Sequence, residues 1–253
     1  MYGRGHQSGM RIGPSMTPPI IKQIMIANAV VFLIQHVVDG TTRYASVIPV
    51  EFWQLGYLWQ PFTYMWLHAS FGHIAMNMFM LWMFGSQLAL AWGPKRFLRF
   101  YLLCGVGAGL IIATYPYLMM GIHPEGLFAR TLGASGAVYG VLLGYSLTWP
   151  DRTIMLIFPP IAFRAIWLIP GLFLMSMMFS SGQNISHIGH LGGVIVGWIY
   201  LRRQGHANPI FTLSHLKSRW KRHQMRKKLR AVRYEEFEAR RRDGEKGNDR
   251  RYH

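Results

Sequence analysis

Long apolar stretches, separated by short breaks of charged, glycine or proline residues, dominate the first 203 positions of the chain. Several of them approach the ~20 residues that a helix needs to cross the ~30 Å hydrocarbon core of a bilayer. The pattern predicts an all-α polytopic membrane protein built as a six-transmembrane-helix bundle. The predicted spans are residues 20–38, 71–92, 97–117, 133–149, 165–180 and 187–201.

The segments between the spans differ in character. Residues 39–70 mix tryptophan, tyrosine and proline with few charges, which is typical of a segment at the membrane–water interface. We therefore predict a re-entrant or interfacial first loop. Residues 153–164 are apolar but contain Pro159-Pro160, which predicts a loop lying against the membrane. Further predictions are a short polar loop at Ser181–Ser186 and helix-forming stretches within 214–242.

The composition is that of a membrane protein with a polar tail. Apolar residues make up 51% of the chain and the mean hydropathy is +0.16, too hydrophobic for an ordinary soluble domain. Of the 27 Lys and Arg residues, 17 lie in residues 202–253. The other basic residues lie mostly before the first span, between the second and third spans, and between the fourth and fifth. The positive-inside rule places these segments and the basic tail on the cytoplasmic side, so both termini are predicted to be cytoplasmic. We predict a cytoplasmic tail (1–19), a six-helix domain (20–203) and a basic cytoplasmic tail (204–253).

The basic tail has two interpretations. It is either a solvated tail that only obeys the topology rule, or a surface that binds anionic lipid head groups through residues 214–230. No recognition motif supports nucleic-acid binding, so no nucleic-acid partner is expected. The one cysteine, Cys104, excludes an intrachain disulfide and CxxC-type metal sites.

Polar residues inside apolar spans are costly and therefore point to function. His73 and Asn77 lie early in the second span, Ser135 early in the fourth and His190 early in the sixth. On the predicted topology these three spans all begin on the outer side of the membrane. The four side chains are therefore expected at a similar depth, near the outer face.

The spacing of these residues puts chemical partners on common helix faces. His73 and Asn77 are four residues apart, as are Ser135 and Tyr139, so each pair shares a face. A serine hydroxyl beside an imidazole is a nucleophile–base pair. At a helix N-terminus Ser135 also has free backbone N–H groups that stabilise an oxyanion.

Glycines flank both candidate catalytic residues. Gly133 opens the space around Ser135, and Gly193 and Gly197 follow His190 at +3 and +7. A small-residue stripe of this kind lets the sixth span approach the fourth closely. His187 lacks such a stripe, which favours His190 as the base.

Other interpretations compete with catalysis. One is structural: polar residues join membrane helices, which explains His68 and His187, and glycines serve packing alone, which explains Gly193 and Gly197. The shared depth of the serine, histidine and oxyanion-type donors argues against packing alone. A metal or haem site on His187 and His190 is disfavoured, because the spans contain no carboxylate and the chain has no HExxH pattern. No metal or cofactor is expected.

Three motifs, in order, resemble those of the rhomboid family of intramembrane serine proteases. They are Gly133-Ala134-Ser135-Gly136 followed by Tyr139, His190-Leu-Gly-Gly193-Val-Ile-Val-Gly197, and His73-Ile-Ala-Met-Asn77 with His68 upstream. The resemblance covers roughly residues 18–203 and implies a rhomboid-like bundle of the six-helix form common in bacteria. One departure is Trp59-Gln60, where many members have Trp-Arg, which puts the loop's usual ion-pair anchoring in doubt.

The resemblance implies a serine endopeptidase with a dyad and no acidic third member. Ser135 is then the nucleophile and His190 the general base, while His73 and Asn77 join the Ser135 N–H at the oxyanion and Tyr139 stacks beneath His190. The implied substrates are single-span membrane proteins cut near the outer end of their helix, with residues 165–180 as a lateral gate. The implied location is the bacterial inner membrane. The alternative is a non-proteolytic rhomboid-like binder or chaperone of membrane helices.

Overall fold

The computed structural model describes residues 13–155, 161–179 and 187–204, together with residues 224, 225 and 234. The chain divides into two compact units, Met1–Ala207 and Asn208–His253, and the first contains nearly all of the described residues. Several predicted features lie outside the described residues: most of the N-terminal tail, the Pro159-Pro160 break, the Ser181–Ser186 loop and nearly all of 214–242.

The first unit is mainly helical. Its α-helices are α1 (Pro19–Val37), α2 (Thr41–Ala45), α3 (Pro49–Gln54), α4 (Gln60–Thr63), α5 (Phe71–Met80), α6 (Ser86–Trp92), α7 (Pro94–Leu118), α8 (Ser135–Thr148), α9 (Leu168–Phe179) and α10 (His187–Arg203). Short 3₁₀ turns cover Tyr64–Trp66, Pro124–Phe128 and Ala165–Trp167.

A helix occupies each of the six predicted ranges. Within the described part of the chain, three helices are long and apolar enough to cross a membrane: Pro19–Val37, Phe71–Trp92 and Pro94–Leu118. Helices α8, α9 and α10 are shorter, with 14, 12 and 17 residues. The mostly helical membrane fold is thus supported, and the count of six spans stays a prediction.

Helix α8 lies at the centre of the unit. It packs against α7 and α10, and its residues from Gly136 to Ser146 are buried except Tyr139, which is partly exposed. A helix that is apolar all round is buried, either inside a protein or in a membrane, and neighbouring helices cover most of α8. Its surroundings therefore hold Ser135, the first residue of α8, in a fixed position.

The second predicted span is interrupted by a feature that hydropathy does not reveal. Residues Leu81–Gly85 form a π-helical segment between α5 and α6. A methyl group on Gly85 would lie 2.9 Å from Leu81 Cδ1 and 3.2 Å from Phe97 Cζ, so side chains of two helices press on this point. A π-segment widens the helix locally and changes the direction in which following side chains point.

The first loop is built of short helices with buried polar anchors. Gln60 is fully buried, its Oε1 accepts from the Ile48 amide at 3.1 Å, and its Nε2 donates to Glu51 Oε2 at 3.2 Å. Arg43 lies 4.0 Å from the other oxygen of Glu51. The neutral Gln60 thus ties the loop together with amide hydrogen bonds at the position where the resemblance anticipated an arginine ion pair.

The prediction of a plain loop over 153–164 is wrong for its two ends. Strand β1 (Thr153–Met155) pairs antiparallel with β2 (Ala162–Arg164), with Ile154 opposite Phe163. Ile154 and Phe163 both pack against the helical core while their neighbours are exposed. This alternation of inward and outward side chains is the strand period, and the apolar run concealed it.

Candidate active site

The predicted nucleophile lies at a helix start. Ser135 is the first residue of α8, Ala134 is the N-cap, and Ser135 is partly exposed between two buried neighbours. The first N–H groups of any helix have no partner within it and carry its positive dipole end. Ser135 therefore combines a hydroxyl with an environment that stabilises negative charge.

The loop entering α8 depends on glycine. Gly133 has φ +129°, a region that residues with a Cβ avoid. A methyl group there would lie 2.7 Å from His73 Cε1 and 2.9 Å from its Nε2. The imidazole of His73 is therefore packed directly on the backbone two residues before Ser135.

His73 has a preferred proton position in this arrangement. Its Nδ1 accepts a long hydrogen bond of 3.4 Å from the Ala69 amide. A neutral imidazole that accepts at Nδ1 carries its proton on Nε2. That N–H is at the side of the ring that faces Gly133 and can donate to a charge developing near Ser135.

Asn77 lies one turn further along the same helix and is buried. Its Nδ2 donates to the His73 carbonyl at 2.9 Å, so one amide hydrogen holds the helix backbone. The second amide hydrogen is the one that a ligand would use.

His190 is buried beside α8, and its ring stacks on Tyr139. The two ring centroids are 4.2 Å apart and the planes differ by 7°. Tyr139 lies one turn after Ser135 on α8, so the stack places His190 next to the helix face that carries the hydroxyl. No hydrogen bond joins Ser135 to His190 among the described residues, and His190 Nδ1 is buried without a partner.

Backbone contact brings the two helices together. A methyl group on Gly193 would overlap the carbonyl oxygen of Gly136. A methyl group on Gly197 would lie 3.3 Å from Cys104 Sγ and 3.5 Å from the Gly140 Cα. Small residues on both helices thus allow the close approach that carries His190 to α8.

His187 is placed differently. Its ring lies edge-on to His190 at 6.5 Å and to Phe173 of α9 at 6.0 Å. It begins α10, and both of these ring contacts are edge-on, whereas His190 stacks face to face on Tyr139.

The sequence did not single out Tyr64, which organises the surroundings of Ser135. Its hydroxyl donates to the Gly105 carbonyl at 2.8 Å, and its own carbonyl accepts from the Gly133 amide at 2.9 Å. Burial raises the pKa of Tyr64 far above its ordinary value, so the hydroxyl stays a donor. Its position in an aromatic-rich loop suggested only a membrane-interface side chain.

His68 is fully buried beside this site. Gln35 of α1 holds its backbone, with Nε2 donating to the His68 carbonyl at 2.6 Å and Oε1 accepting from its amide at 3.0 Å. Neither ring nitrogen has a hydrogen-bond partner among the residues that the structure describes, and the ring lies 5.1 Å from that of His73. Burial, with a contribution from His73, lowers the pKa of His68 to about 3.

We expect His68 to make the protein sensitive to acid. Above pH 6.5 the ring is neutral in both states; between pH 6.5 and 3 the unfolded chain binds a proton that the folded chain does not, so stability falls as the pH falls. The loss is about 1.4 kcal/mol per pH unit, or about 2 kcal/mol at pH 5. Unfolding in detergent at pH 7 and pH 5 should show this extra loss in the wild type relative to His68→Gln. Equal losses in both proteins would contradict the assignment.

The part of the chain that carries these residues is similar to known proteins. A family model described as the Rhomboid domain matches residues 55–204. Rhomboid protein 1, mitochondrial, of Saccharomyces cerevisiae is 32% identical over 139 residues, 53% of this chain and 38% of that protein. RHOMBOID-like protein 12, mitochondrial, of Arabidopsis thaliana is 29% identical over 201 residues, 73% of this chain and 59% of that protein.

A bacterial relative also matches. Rhomboid protease GlpG of Serratia proteamaculans (strain 568) is 28% identical over 192 residues, 72% of this chain and 62% of that protein. The chain thus spans less than two thirds of the length of each of these three relatives. The matched region contains all three motifs and the helices that carry them, and the chain belongs to the rhomboid family of membrane proteins.

Proposed function

We propose that this protein is an intramembrane serine protease that uses Ser135 and His190 as a catalytic dyad. The observation that carries the proposal is the parallel stack of His190 on Tyr139, one turn from Ser135 at the N-terminus of α8. The stack orients the imidazole next to the helix face that carries a glycine-flanked serine. The name of the Serratia relative, a rhomboid protease, supports the same activity.

In the proposed reaction Ser135 Oγ attacks the carbonyl carbon of the scissile peptide, and His190 takes the hydroxyl proton. The oxyanion accepts hydrogen bonds from the Ser135 N–H and from His73 Nε2–H, with Asn77 as a further donor. His190 then gives its proton to the leaving amine. Water hydrolyses the acyl-enzyme, with His190 as base and Ser135 as leaving group.

The absence of an acidic third member fits the site. His190 Nδ1 has no hydrogen-bond partner among the described residues, so no carboxylate orients the imidazole from behind. Stacking on Tyr139 supplies orientation without charge. A neutral partner suits an apolar site, where an unpaired carboxylate would be costly.

The proposed substrates are single-span membrane proteins cut near the outer end of their helix, with α9 as part of a lateral gate. No cofactor enters this proposal. Two of the three relatives named above are mitochondrial, so the comparisons do not support the bacterial inner membrane, which stays a prediction, as do the cytoplasmic termini.

The function is tested with the full-length protein reconstituted in liposomes together with single-span reporter proteins. We expect cleavage within or beside the reporter helix, and covalent labelling of Ser135 by a fluorophosphonate probe located by peptide mass spectrometry. Folded protein that binds reporters but neither cleaves them nor reacts with the probe would overturn the proposal in favour of a non-proteolytic membrane-helix binder.

Tyr139 is proposed as a positioning residue, and its ring rather than its hydroxyl is expected to matter. Tyr139→Phe keeps the stack and should retain cleavage within about threefold, while Tyr139→Leu should lower kcat about 10- to 100-fold because the imidazole loses its fixed orientation. Turnover and KM on one reporter separate the effects, since the loss should fall on kcat. A Phe variant as impaired as the Leu variant would contradict this role.

A further inference from the structure

A groove on the outside of the bundle, away from the Ser135 site, lies between α7 and α10. It has a volume of about 380 Å³, in the range of roughly 300–1,000 Å³ that small-molecule sites occupy. Its lining residues are Leu103, Val196, Ile199, Tyr200, Arg203 and Gln204. Most of the wall is therefore apolar, and charge is confined to one end.

The two helices run antiparallel along this groove. A methyl group on Gly107 of α7 would lie 2.6 Å from Val196 of α10, and Phe100 lies further along, 5.3 Å from the Tyr200 ring. Continuing this register brings Arg99 of α7 level with Arg203 at the end of α10. Arg99 is four residues from Leu103, so it lies on the same face of α7.

Both arginines suit an anionic ligand. Arg99 and Arg203 are exposed, and neither forms an ion pair within the described ranges. Arginine presents several donors that match phosphate oxygens. One helix supplies each guanidinium, so a phosphate between them would be held from two sides.

Tyr200 adds an unused donor to the groove. Its hydroxyl is buried and has no hydrogen-bond partner within the part of the chain that the structure describes, although buried hydroxyls are almost always bonded. The ring packs on Phe100, which in turn lies against Trp92. This aromatic support holds the hydroxyl in place for an acceptor oxygen on a ligand in the groove.

We propose that this groove binds one phospholipid with an anionic head group. The acyl chain lies along Leu103, Val196 and Ile199, while the head-group phosphate binds Arg99 and Arg203 and an oxygen of the lipid accepts from Tyr200. The apolar wall that ends in two cations matches the chemistry of such a lipid, because anionic head groups attract basic side chains at the membrane surface.

The test is native mass spectrometry of the full-length protein in detergent, titrated with phosphatidylglycerol or phosphatidylcholine. We expect tighter binding of one phosphatidylglycerol than of phosphatidylcholine, with affinity about fivefold lower in Arg99→Gln and in Arg203→Gln. Arg202→Gln is the matched control, because it removes the same charge next to Arg203 from a side chain stacked on Trp198 at 5.0 Å, and it should change affinity less than twofold.

A steric pair tests the groove without altering charge. Ile199 and Ile195 are each 41% exposed on α10, but only Ile199 lines the groove. Ile199→Trp should reduce phosphatidylglycerol binding several-fold, whereas Ile195→Trp should not. Unfolding temperatures in phosphatidylcholine alone verify that all variants fold.

Three results would overturn the proposal. One is equal binding of the two lipids, and another is an Arg202→Gln loss as large as that of Arg203→Gln, which would mean diffuse attraction by charge. The third is full competition by water-soluble glycerol phosphate, which would identify a site for free phosphate instead of a lipid.

Discussion

Replacing Ser135 by Ala should abolish peptide cleavage, with kcat lower by at least about 10³-fold. The hydroxyl is the atom that forms the acyl-enzyme, and no other group in the proposed mechanism can replace it. Ser146→Ala is the control on the same helix, because Ser146 is buried and its hydroxyl donates to the Leu142 carbonyl at 2.8 Å. That variant should stay within a few-fold of the wild type.

His190→Ala should cause a loss of similar size, and the double variant should be no worse than either single one. Two residues that act as one unit lose their joint contribution when either is removed, so their effects do not add. His187→Ala is the control for a neighbouring imidazole on α10 and should retain most activity.

The measurement is initial cleavage rate on one reporter in liposomes, with circular dichroism and thermal unfolding to verify the fold of each variant. Full activity of folded Ser135→Ala would refute the mechanism. Loss of activity in His187→Ala with retention in His190→Ala would move the base to His187, and additive single losses would mean that the two residues act separately.

The chain's helices could be located from sequence because membrane helices need long apolar runs, and these are visible directly. The ends of the helices were harder to predict than their positions. Helix α8 begins at Ser135 and not at Gly133, because Gly133 has a positive φ that a helix cannot contain. The hydropathy pattern did not predict the π-segment over Leu81–Gly85 or the β-hairpin. Both depend on contacts with distant residues, which local hydropathy does not record.

The residues of the candidate site could be predicted from a different signal in the sequence. Polar residues in apolar runs are rare enough to stand out, so Ser135 and His190 could be named before any geometry was known. Tyr64 and Gln35 could not, because each acts through hydrogen bonds to backbone groups far away in sequence. Gln60 shows the same limit, since only its bonds to Ile48 and Glu51 reveal how an amide anchors the loop at this position.

The closest approach between α8 and α10 lies between Gly193 and the Gly136 carbonyl, and a larger residue at Gly193 should have a large effect. Gly193→Ala should lower the free energy of unfolding by about 3 kcal/mol and cleavage by about 100-fold. The added methyl group would overlap the Gly136 carbonyl, and a backbone atom inside a buried helix cannot rotate away as a side chain can. Helix α10 must therefore shift outward, and a displacement of ~1 Å at a catalytic group is enough for a loss of this size.

Two further glycines on the helices provide a graded series. Gly197→Ala meets the Cys104 and Phe100 side chains at 3.3 Å, which can yield by a few tenths of an ångström, so the cost should stay below about 1 kcal/mol. Gly171→Ala in α9 meets no described residue within 4 Å and should raise stability by up to about 1 kcal/mol, since alanine favours helix.

Unfolding in detergent and cleavage in liposomes should rank the variants identically, with Gly193→Ala well below Gly197→Ala and Gly171→Ala at or above the wild type. Because only Gly193→Ala displaces the helix that carries His190, it should also slow fluorophosphonate labelling of Ser135. A Gly193→Ala protein with wild-type stability and labelling would mean that α10 does not rest on the Gly136 carbonyl, and the close approach of His190 to α8 would have to be abandoned.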